Sequence, residues 1–562
     1  MRQISKMILA GSLFGIALDA LEFGSMGNIS SSMGGAGVAL RNSQWALYYN
    51  PALLGMDRKS RFAYSFGTNV RETNLLNLAN VKVDDIKNIS IEGNSSSSVG
   101  GAILAGASGV SGGADDVFSQ LGDIKTLLGN AIGGAEGDKI KNAASIDDAI
   151  AQFKAATTLS DGSLNASGYN AFNYLQGQIL DAIDKSGDNT GILKNIIQNL
   201  TPEQVNGIAD LANKGQNGNI NVNDILNTLG TVKLTSSPDT ENLIKSLDII
   251  KKALDKNDLS FNTQNGLIGQ IGGNGVDGRG AIAFGIFGSA FFSANASFDP
   301  THNQIITSSD GNYVRIDVNN NDITLSNSNK SDYDNYSILS DDAEHHIQAT
   351  DLLLGEIPIG YGQAFYTPFG NLSIGFAAKY IFAFGQSVNQ KGSFNTISDG
   401  INVGSVPAPQ NTFGIDIGGL YNYKDLTVGI VAKNINAPVI SLGNNQKIIL
   451  ESQVRAGISY EWHFLSLAMD IDLKPNNTLS YLSPKNQMIG GGIMFDFKYV
   501  DFRFGSMYDF QSQAGEGVIL TGGINILGFL DLALQSNLKL TDISGSRVPS
   551  YISLKLGGGF SW

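Results

Sequence analysis

Charged side chains recur at every second position of apolar segments in the C-terminal half of the chain. In residues 465–473, for example, Leu467 and Met469 alternate with Asp470 and Asp472. Alternate residues of a strand share a face, so these charges could pair with one another or contact a solute. Because both signs occur, an ion-pair network is favoured over a selective ring of one charge. The charged set predicted to face a lumen is Asp416, Lys433, Arg455, Glu461, Asp470, Asp472, Asp501, Arg503, Lys539 and Lys555.

The segments that carry these charges have the length of membrane-crossing strands. Most run for about ten residues, as tilted strands do when they cross a bilayer, and they are separated by short turns such as residues 422–425. In lipid, only a closed barrel leaves every strand N–H and C=O paired. The sequence therefore predicts an all-β fold, a transmembrane antiparallel barrel of about 14 strands. One strand is ill-defined and is expected among residues 86–110.

The last strand supports this interpretation. Ile552, Leu554 and Leu556 alternate with polar or small residues, and the pattern continues to Phe560 and Trp562. A strand that ends on an aromatic residue resembles the C-terminal signal of bacterial outer-membrane barrels, which their assembly machinery reads. The expected partners are therefore outer-membrane lipid and the barrel assembly machinery. A soluble sheet protein that ends in Trp is the alternative.

A different period interrupts the strands. Between residues 112 and 262, apolar residues recur three and four apart, and helix start signals occur at Ser145, Thr201-Pro202 and Ser237-Pro238. This pattern predicts an inserted small α-helical subdomain on the extracellular side. The predicted organisation is a signal peptide over 1–20, an N-terminal hatch over 21–58, a first part of the barrel over 59–111, the helical insertion over 112–262, and the main barrel over 263–562 with an extracellular loop at about 299–345.

Composition narrows the function. The basic Arg2 and Lys6 precede an apolar run from Met7 to Leu18, which is typical of a cleaved secretion signal and predicts export to the bacterial outer membrane. The chain has no cysteine among 562 residues, so no disulfide or thiolate metal site supports it. The formal net charge of -14 argues against a nucleic-acid partner. No P-loop motif and no cysteine nucleophile occurs, and neither an enzyme nor a cofactor is predicted.

The segment that follows the signal is rich in glycine and aromatic residues, "MGGAGVALRNSQWALYYNPALLGM" over 33–56. It resembles the N-terminal hatch of the FadL-type outer-membrane transporters, which implies a plug folded inside the barrel. The glycines would let the backbone pass close to the wall, and Asn50-Pro51 would make a turn. A flexible arm is the alternative. The residues that the resemblance assigns to gating or ligand contact are Gly34, Gly35, Gly37, Trp45, Tyr48, Tyr49, Asn50 and Pro51.

Two strand pairs resemble one branch more specifically, the TraF-type conjugal transfer proteins. They are "TFGIDIGGLYNYKDLTVGIVAKNINAP" at 412–438 and "VRAGISYEWHFLSLAMDIDL" at 454–473. With the N-terminal motif and the C-terminal strands, the resemblance covers roughly 300 residues and leaves the helical insertion outside. A periplasmic thioredoxin-like protein shares the label, but redox chemistry of that kind needs cysteine.

A calcium site is a weaker expectation. The stretch "NKGQNGNINVND" at 213–224 resembles an EF-hand loop, with Asn213, Asn217, Asn219 and Asp224 as the candidate ligands. Asn213 stands where the first Asp is expected, so a metal-free helical turn is favoured over a calcium site. The adjacent His345 and His346 have no metal-ligand spacing, and a solvated pair is expected.

Two classes of function follow. The first is a channel for passive uptake of a small hydrophobic compound, gated by the N-terminal hatch. The second is a structural or assembly protein of the outer membrane, linked to conjugal transfer or secretion, or an adhesin that presents the helical insertion. The resemblance implies a hydrophobic ligand, and the sequence identifies no pocket for it.

Overall fold

The computed structural model describes most of the chain. The described residues are 18–19, 23–41, 43–78, 117, 120–186, 191–217, 222–237, 240–309, 311–319, 322–394, 408–443, 446–497, 499–543 and 546–562.

Fourteen antiparallel strands form a closed barrel in which each strand pairs with its neighbours in chain order. The first strand pairs with the last from Arg61 opposite Ser561 to Arg71 opposite Tyr551, which closes the wall. The predicted transmembrane barrel is confirmed. Its strands are β1 (Arg61–Thr73), β2 (Asp258–Ile271), β3 (Ala281–Ser297), β4 (His345–Thr367), β5 (Gly370–Gly392), β6 (Gln410–Tyr423), β7 (Leu426–Lys433), β8 (Gln453–Trp462), β9 (Leu465–Asp472), β10 (Met488–Phe497), β11 (Val500–Asp509), β12 (Val518–Ile526), β13 (Leu530–Asn537) and β14 (Tyr551–Ser561).

The strand expected among residues 86–110 lies outside the described residues. The barrel reaches fourteen strands with β1 and β2, which pair directly from Arg61 opposite Gln270 to Thr73 opposite Asp258. Residues 258–262, which the sequence assigns to the helical insertion, are the beginning of β2.

The strands present an apolar face outward. On β5, Ile374 and Phe376 are exposed, whereas Ala377 and Lys379 point inward and are buried. An outward apolar band is how a barrel contacts lipid. Ser60 and Trp562 meet at what we call the proximal end, and the opposite end is the distal end. Exposed aromatic residues surround the proximal end, as in an interfacial girdle: Tyr366, Phe369, Trp462, Phe464, Tyr499, Phe529, Phe560 and Trp562.

The wall is much taller on one side than on the other. Strands β4 and β5 have 23 residues each, whereas β7, β9 and β13 have 8. A tilted strand needs about ten residues to cross a bilayer, so the tall side extends well beyond it. Among the residues that the structure describes, no helix is both long and apolar enough to cross a membrane.

Residues 23–57, which we call the hatch segment, lie inside the barrel. They contain helix α1 (Asn28–Ser32), helix α2 (Ala46–Tyr49) and a 3-10 helix (Pro51–Met56). The short helix α3 (Leu75–Leu78) follows β1 at the distal end.

A subdomain with its own apolar core stands at the distal end. Besides helices it contains a four-stranded sheet, in which Thr231–Thr235 pairs with Asp322–Ser328, followed by Asn312–Asn319 and Ile305–Ser309. Residues 299–345, expected to be a loop, therefore supply three of these strands and a helix. The helices are α4 (Ile124–Ile132), α5 (Gly134–Lys141), α6 (Ile146–Thr157), α7 (Ala166–Ser186), α8 (Gly191–Gln198), α9 (Val205–Asn217), α10 (Val222–Leu229), α11 (Glu241–Asp255) and α12 (Lys330–Tyr336), with a 3-10 turn at Pro202–Gln204.

Short strand pairs occupy the remaining connections. A hairpin of Val439–Gly443 and Gln446–Ile449 joins β7 to β8, and Leu18–Asp19 pairs with it in parallel. The β9–β10 connection contains Asn476–Asn477 paired with Lys485–Asn486, and the β13–β14 connection contains Leu540–Ile543 paired with Ser546–Pro549.

Candidate functional site

The hatch segment is built around the aromatic cluster that its sequence contains. Trp45 and Tyr49 are buried, and the Tyr49 hydroxyl donates to the carbonyl of Met26 at 2.9 Å. At the Asn50-Pro51 step the Asn50 side-chain oxygen accepts the Ala52 N–H at 3.0 Å, which starts the 3-10 helix. A proline at the first helical position needs no N–H partner. The segment is thus an ordered plug.

Its glycines serve close packing. Gly34 and Gly35 have positive φ values of 65° and 82°, which side-chain-bearing residues rarely adopt. At Gly37 a Cβ atom would lie 2.6 Å from the Tyr49 ring. The run of glycines therefore allows the sharp turn after α1 and lets the chain pass under the aromatic cluster.

Polar side chains of the wall hold the hatch backbone. One carboxylate oxygen of Asp470 accepts the N–H groups of Gly37 and Val38 at 2.8 and 3.0 Å. The Ser459 hydroxyl donates to the carbonyl of Ala39 at 2.7 Å. Because the segment has almost no secondary structure of its own there, these bonds replace the partners that a strand or helix would supply.

Strands β12 and β13 make the same kind of contact. Thr521 accepts the Gly34 N–H at 3.0 Å and donates to the carbonyl of Ser32 at 2.7 Å. The Gln535 amide donates to the carbonyl of Ser31 at 2.7 Å. The hatch segment is therefore bonded to four strands of the wall, β8, β9, β12 and β13.

Glycines of the wall let the hatch approach this closely. A Cβ at Gly490 would overlap the carbonyl oxygen of Gly34, and a Cβ at Gly418 would overlap the Asn50 side chain. A Cβ at Gly375 would meet the backbone of Pro51. Glycine in a strand often marks such a backbone contact, so the high glycine content of the chain is explained in part by the fit of its plug.

A belt of seven charged side chains runs around half of the lumen, on the six neighbouring strands β4 to β9. The Lys379 ammonium lies 3.0 Å from Glu356 and 3.2 Å from Asp416, and Arg455 lies 2.6 Å from Asp472. Three cations are interspersed with four carboxylates, so the belt is an ion-pair network. It consists of Glu356, Lys379, Asp416, Lys433, Arg455, Asp470 and Asp472.

A second group of charges lies on β11 and β13. Arg503 is fully buried and pairs with Asp501 at 2.6 Å and with Asp531 at 2.7 Å. Lys555 is buried on neighbouring β14. At the proximal end, Glu461 accepts the Arg41 N–H at 2.8 Å.

Lys539 differs from the prediction. Strand β13 ends at Asn537, so the alternation no longer applies at Lys539, which is exposed and donates to the carbonyl of Ala514. Sequence reasoning also missed Glu356, Lys379 and Asp531. Each is a charged residue at an inward position of an alternating strand, and that signal could have identified it.

The distal half of the lumen has an apolar inner wall. Phe291 of β3, Leu352 and Leu354 of β4 and Ile381 of β5 point inward and are buried. They are covered by the inserted hairpin, through Ile440 and Ile448, and by Leu450 and Leu479 of the connections. Sequence reasoning missed this surface, although the run Leu352-Leu353-Leu354 is apolar on both faces and breaks the alternation. We call these inward residues of β3, β4 and β5 the apolar chamber.

The rest of the distal lumen is polar. Arg71 pairs with Glu516, the Ser480 hydroxyl donates to Asp258 at 2.9 Å, and Tyr481 and Thr350 share a hydrogen bond of 2.7 Å. A small cavity of about 20 Å³ is lined by Arg71, Phe291 and Ser480, among others. The connections therefore fill most of this half, and the apolar chamber is its water-excluded side.

The EF-hand-like stretch does not have the geometry of a calcium loop. Helix α9 extends through Asn213 to Asn217 and α10 begins at Val222, so the proposed first ligands lie in a helix and too few residues remain for a twelve-residue loop. Asn219 lies outside the described residues. Asp224 pairs with Lys214 at 3.1 Å. No group of three or more His, Asp or Glu side chains in the described part of the chain could hold a metal ion.

The histidine pair is also not solvated as expected. His345 is buried, where its Nε2 lies 2.8 Å from the carbonyl of Ile338 and its Nδ1 accepts the Asp299 N–H at 3.0 Å. His346 lies 2.8 Å from Asn389 across the strand pair. Both are structural contacts at the junction of barrel and subdomain.

A family profile described as "F plasmid transfer operon, TraF, protein" matches residues 209–472, from α9 to the end of β9. The chain is similar to the TraF-type family. The expected resemblance is thus confirmed on both strand pairs quoted above. The TraF-type match differs from the sequence expectation at its ends, since it begins inside the helical insertion and contains neither the hatch segment nor the C-terminal strands. No curated protein matches by sequence.

Among solved structures, a TodX deltaS2S3 mutant monoaromatic hydrocarbon channel is 8% identical, with 96% of this chain and 98% of that chain covered and a TM-score of 0.35. The Ralstonia pickettii toluene transporter TbuX is 10% identical, with 96% and 97% covered and a TM-score of 0.27. A Rhodopseudomonas blastica porin mutant is 9% identical, with 54% and 91% covered and a TM-score of 0.19. Because superpositions this loose support no transfer of function, function must be argued from the barrel's own residues.

Proposed function

We propose that the protein is a non-enzymatic outer-membrane channel for passive entry of a small hydrophobic compound, with the hatch segment as its gate. The observation that carries the proposal is the apolar chamber. Barrel interiors that conduct ions and sugars are polar, whereas ligand pockets for apolar compounds are lined by side chains such as Phe291, Leu352 and Ile381.

The route would begin at the distal end. The hairpin of residues 439–449 covers the chamber through Ile440 and Ile448, and apolar contact is non-directional. A hydrophobic compound could therefore take the place of those two side chains without leaving a polar group unpaired. The compound would then rest above the belt and the aromatic cluster of the hatch.

The second step requires the hatch segment to move. Its bonds to Asp470, Thr521 and Gln535 would have to exchange with water, and the turn at Gly34 and Gly35 is the point where its backbone can pivot. The compound would leave at the proximal end. Exposed Phe560 on β14 and Trp562 directly after it fit recognition by barrel assembly machinery, as the resemblance implies.

The test is conductance and uptake by the refolded protein in planar bilayers and liposomes, for the full chain and for a chain lacking residues 27–51. We expect the full chain to be mostly closed and the deletion variant to be open. Toluene or a similar apolar solute should enter liposomes faster through the deletion variant. Two equally closed barrels would contradict gating by the hatch.

A second candidate function is attachment or assembly, and the distal subdomain favours it. Its core joins helices of residues 124–255 to strands of residues 305–328, so it is a folded unit larger than a passive channel requires. Recovery of specific partner subunits through the subdomain, together with no solute flux in either barrel, would support this function over transport.

A further inference from the structure

Two buried lysines of the belt are compensated in different ways. Lys379 on β5 has two wall carboxylates within 3.2 Å, Glu356 and Asp416. Lys433 on β7 is equally buried, but in the part of the chain that the structure describes no carboxylate comes within 4.0 Å of its ammonium. The ammonium instead lies 3.6 Å from the centre of the Tyr48 ring and 4.6 Å from that of Phe23. Both rings belong to the hatch segment.

Arg455 also touches the hatch but does not depend on it. Its guanidinium lies 4.0 Å from the Phe23 ring and donates to the Phe23 carbonyl at 3.3 Å. Its ion-pair partner, Asp472 at 2.6 Å, is a residue of the wall and not of the hatch. Lys433 is therefore the belt cation whose closest partners belong to the plug, while the wall carboxylates lie farther away.

Burial of the Lys433 ammonium should disfavour the closed position of the hatch. An ammonium that leaves water loses more hydration energy than contact with aromatic faces returns, unless carboxylates compensate it. With the hatch in place Lys433 is dry, and with the hatch displaced it faces a wet lumen. Its charge should therefore favour displacement, whereas Tyr48 and Phe23 reduce that tendency.

We propose that Lys433 sets the opening threshold of the hatch, as a buried cation that opposes closure and is restrained by the aromatic rings of the plug. This rests on the proposed function of the hatch as a gate. It differs from a simple latch, because removing the charge should close the channel more firmly.

The test is the open probability of full-length variants in planar bilayers. Lys433→Met removes the charge but keeps an apolar side chain against both rings, and it should lower the open probability about tenfold, whereas Lys433→Arg should not. Tyr48→Leu should raise the open probability and Tyr48→Phe, which keeps the ring, should not. In the Lys433→Met background the effect of Tyr48→Leu should shrink at least threefold, as residues in contact are not additive.

A matched control exists on the surface. Lys424 is exposed and lies 5.3 Å from the Tyr423 ring, so Lys424→Met removes a lysine with an aromatic contact but no burial. It should leave the open probability unchanged. A rise in open probability for Lys433→Met would overturn the proposal and make Lys433 an ordinary latch. Equal effects of Tyr48→Leu in both backgrounds would overturn it too.

A second measurement separates this inference from transport. The chain has no cysteine, so Ser43→Cys, at a buried hatch position, reports hatch exposure through its rate of thiol labelling in liposomes. Slower labelling in Lys433→Met than in the parent supports the inference even if no current flows in any variant. Faster or unchanged labelling contradicts it, whereas closed barrels with and without residues 27–51 contradict only the gating function.

Discussion

The two halves of the lumen are filled in different ways. In the proximal half, the wall holds the hatch segment by hydrogen bonds to its backbone and by glycines that admit it, as at Asp470 and Gly490. In the distal half, the hairpin meets the apolar chamber through side chains such as Ile440 and Ile448. Hydrogen bonds need one partner at one angle, whereas apolar contact needs only shape and area.

The hatch segment is thus held by contacts that are specific to its backbone, whereas the hairpin of residues 439–449 is held by apolar contacts that another apolar group can replace. Under the proposed function, a hydrophobic solute would substitute for Ile448 but not for the amide groups of Gly37 and Val38. A hydrophobic ligand should therefore displace the hairpin, whereas the hatch segment should be displaced by charge and hydration. Three predictions each test one half of the lumen, and a fourth tests whether the distal subdomain is coupled to them.

The largest effect is expected from Gly490→Val. Its Cβ would overlap the Gly34 carbonyl oxygen, a backbone atom that cannot rotate away, and such overpacking typically costs about 1–3 kcal/mol or more. The hatch should fail to seat, with a persistent open current and fast labelling of Ser43→Cys. At Gly522 the nearest atom to a Cβ is 3.7 Å away, so Gly522→Ala is the matched control. A closed Gly490→Val barrel would show that the glycine contact does not hold the plug.

In the distal half, Ile448→Ala should loosen the contact between the hairpin and the apolar chamber. Ile448 is fully buried, and truncating such a residue costs about 2–5 kcal/mol. Labelling of Leu352→Cys in the apolar chamber should accelerate, while labelling of Ser43→Cys should not. Val439→Ala, at an exposed position of the same hairpin, is the control. Equal acceleration at both cysteines would show that the two halves open as one.

A smaller effect is expected from Asp470→Asn. The amide oxygen can still accept the N–H groups of Gly37 and Val38, but bonds to a neutral acceptor are weaker than bonds to a carboxylate by about 1 kcal/mol. Ser43→Cys should label several times faster, with the chamber unaffected. Asp425→Asn in an exposed proximal turn provides the comparison. An unchanged hatch would mean that these bonds contribute no net stability.

The smallest effect concerns neither half and tests whether the subdomain is coupled to them. Burial opposes ionisation of Asp299, but hydrogen bonds from Thr301, Glu344 and His302 hold the pKa of that carboxyl well below its ordinary value. A lowered pKa in the folded state means stability that is complete above about pH 4 and is lost as the pH falls further. Proteolysis near Asp299 should increase below that pH and should be independent of pH in Asp299→Asn. Simultaneous exposure of Ser43→Cys would contradict separate lumen halves.

The strands were predictable where one face meets lipid and the other does not. The alternation in residues 465–473 or 530–537 arises because one face contacts lipid and the other faces the barrel interior, so it identifies strands without an alignment. Strand β2 was harder, because Thr263 and Asn265 occupy outward positions among Leu259, Phe261 and Leu267, and its start follows α11 directly. The hatch was predictable because Trp45, Tyr48 and Tyr49 need burial.

The filling of the distal lumen was not predictable from local pattern. Ile440, Ile448 and Leu479 meet Phe291 and Leu352 only because the connections fold inward, and nothing in their spacing specifies that direction. The pairing of the inward-facing charged side chains was equally unpredictable from local pattern. Alternation places Lys433 and Asp416 on one face, yet Asp416 pairs with Lys379, a choice that depends on register across three strands.

The seam between β1 and β14 joins residues 61–71 to residues 551–561, the most distant pairing in the wall. The hatch segment immediately precedes β1, so the barrel must close around a segment that is already in place or is drawn in at that moment. Pairing between segments so remote in sequence is slow. A barrel that closes at this seam last would lay its final strands around the plug, and a chain whose last strand is delayed would keep an open, edge-bearing sheet wrapped around its own N-terminal segment.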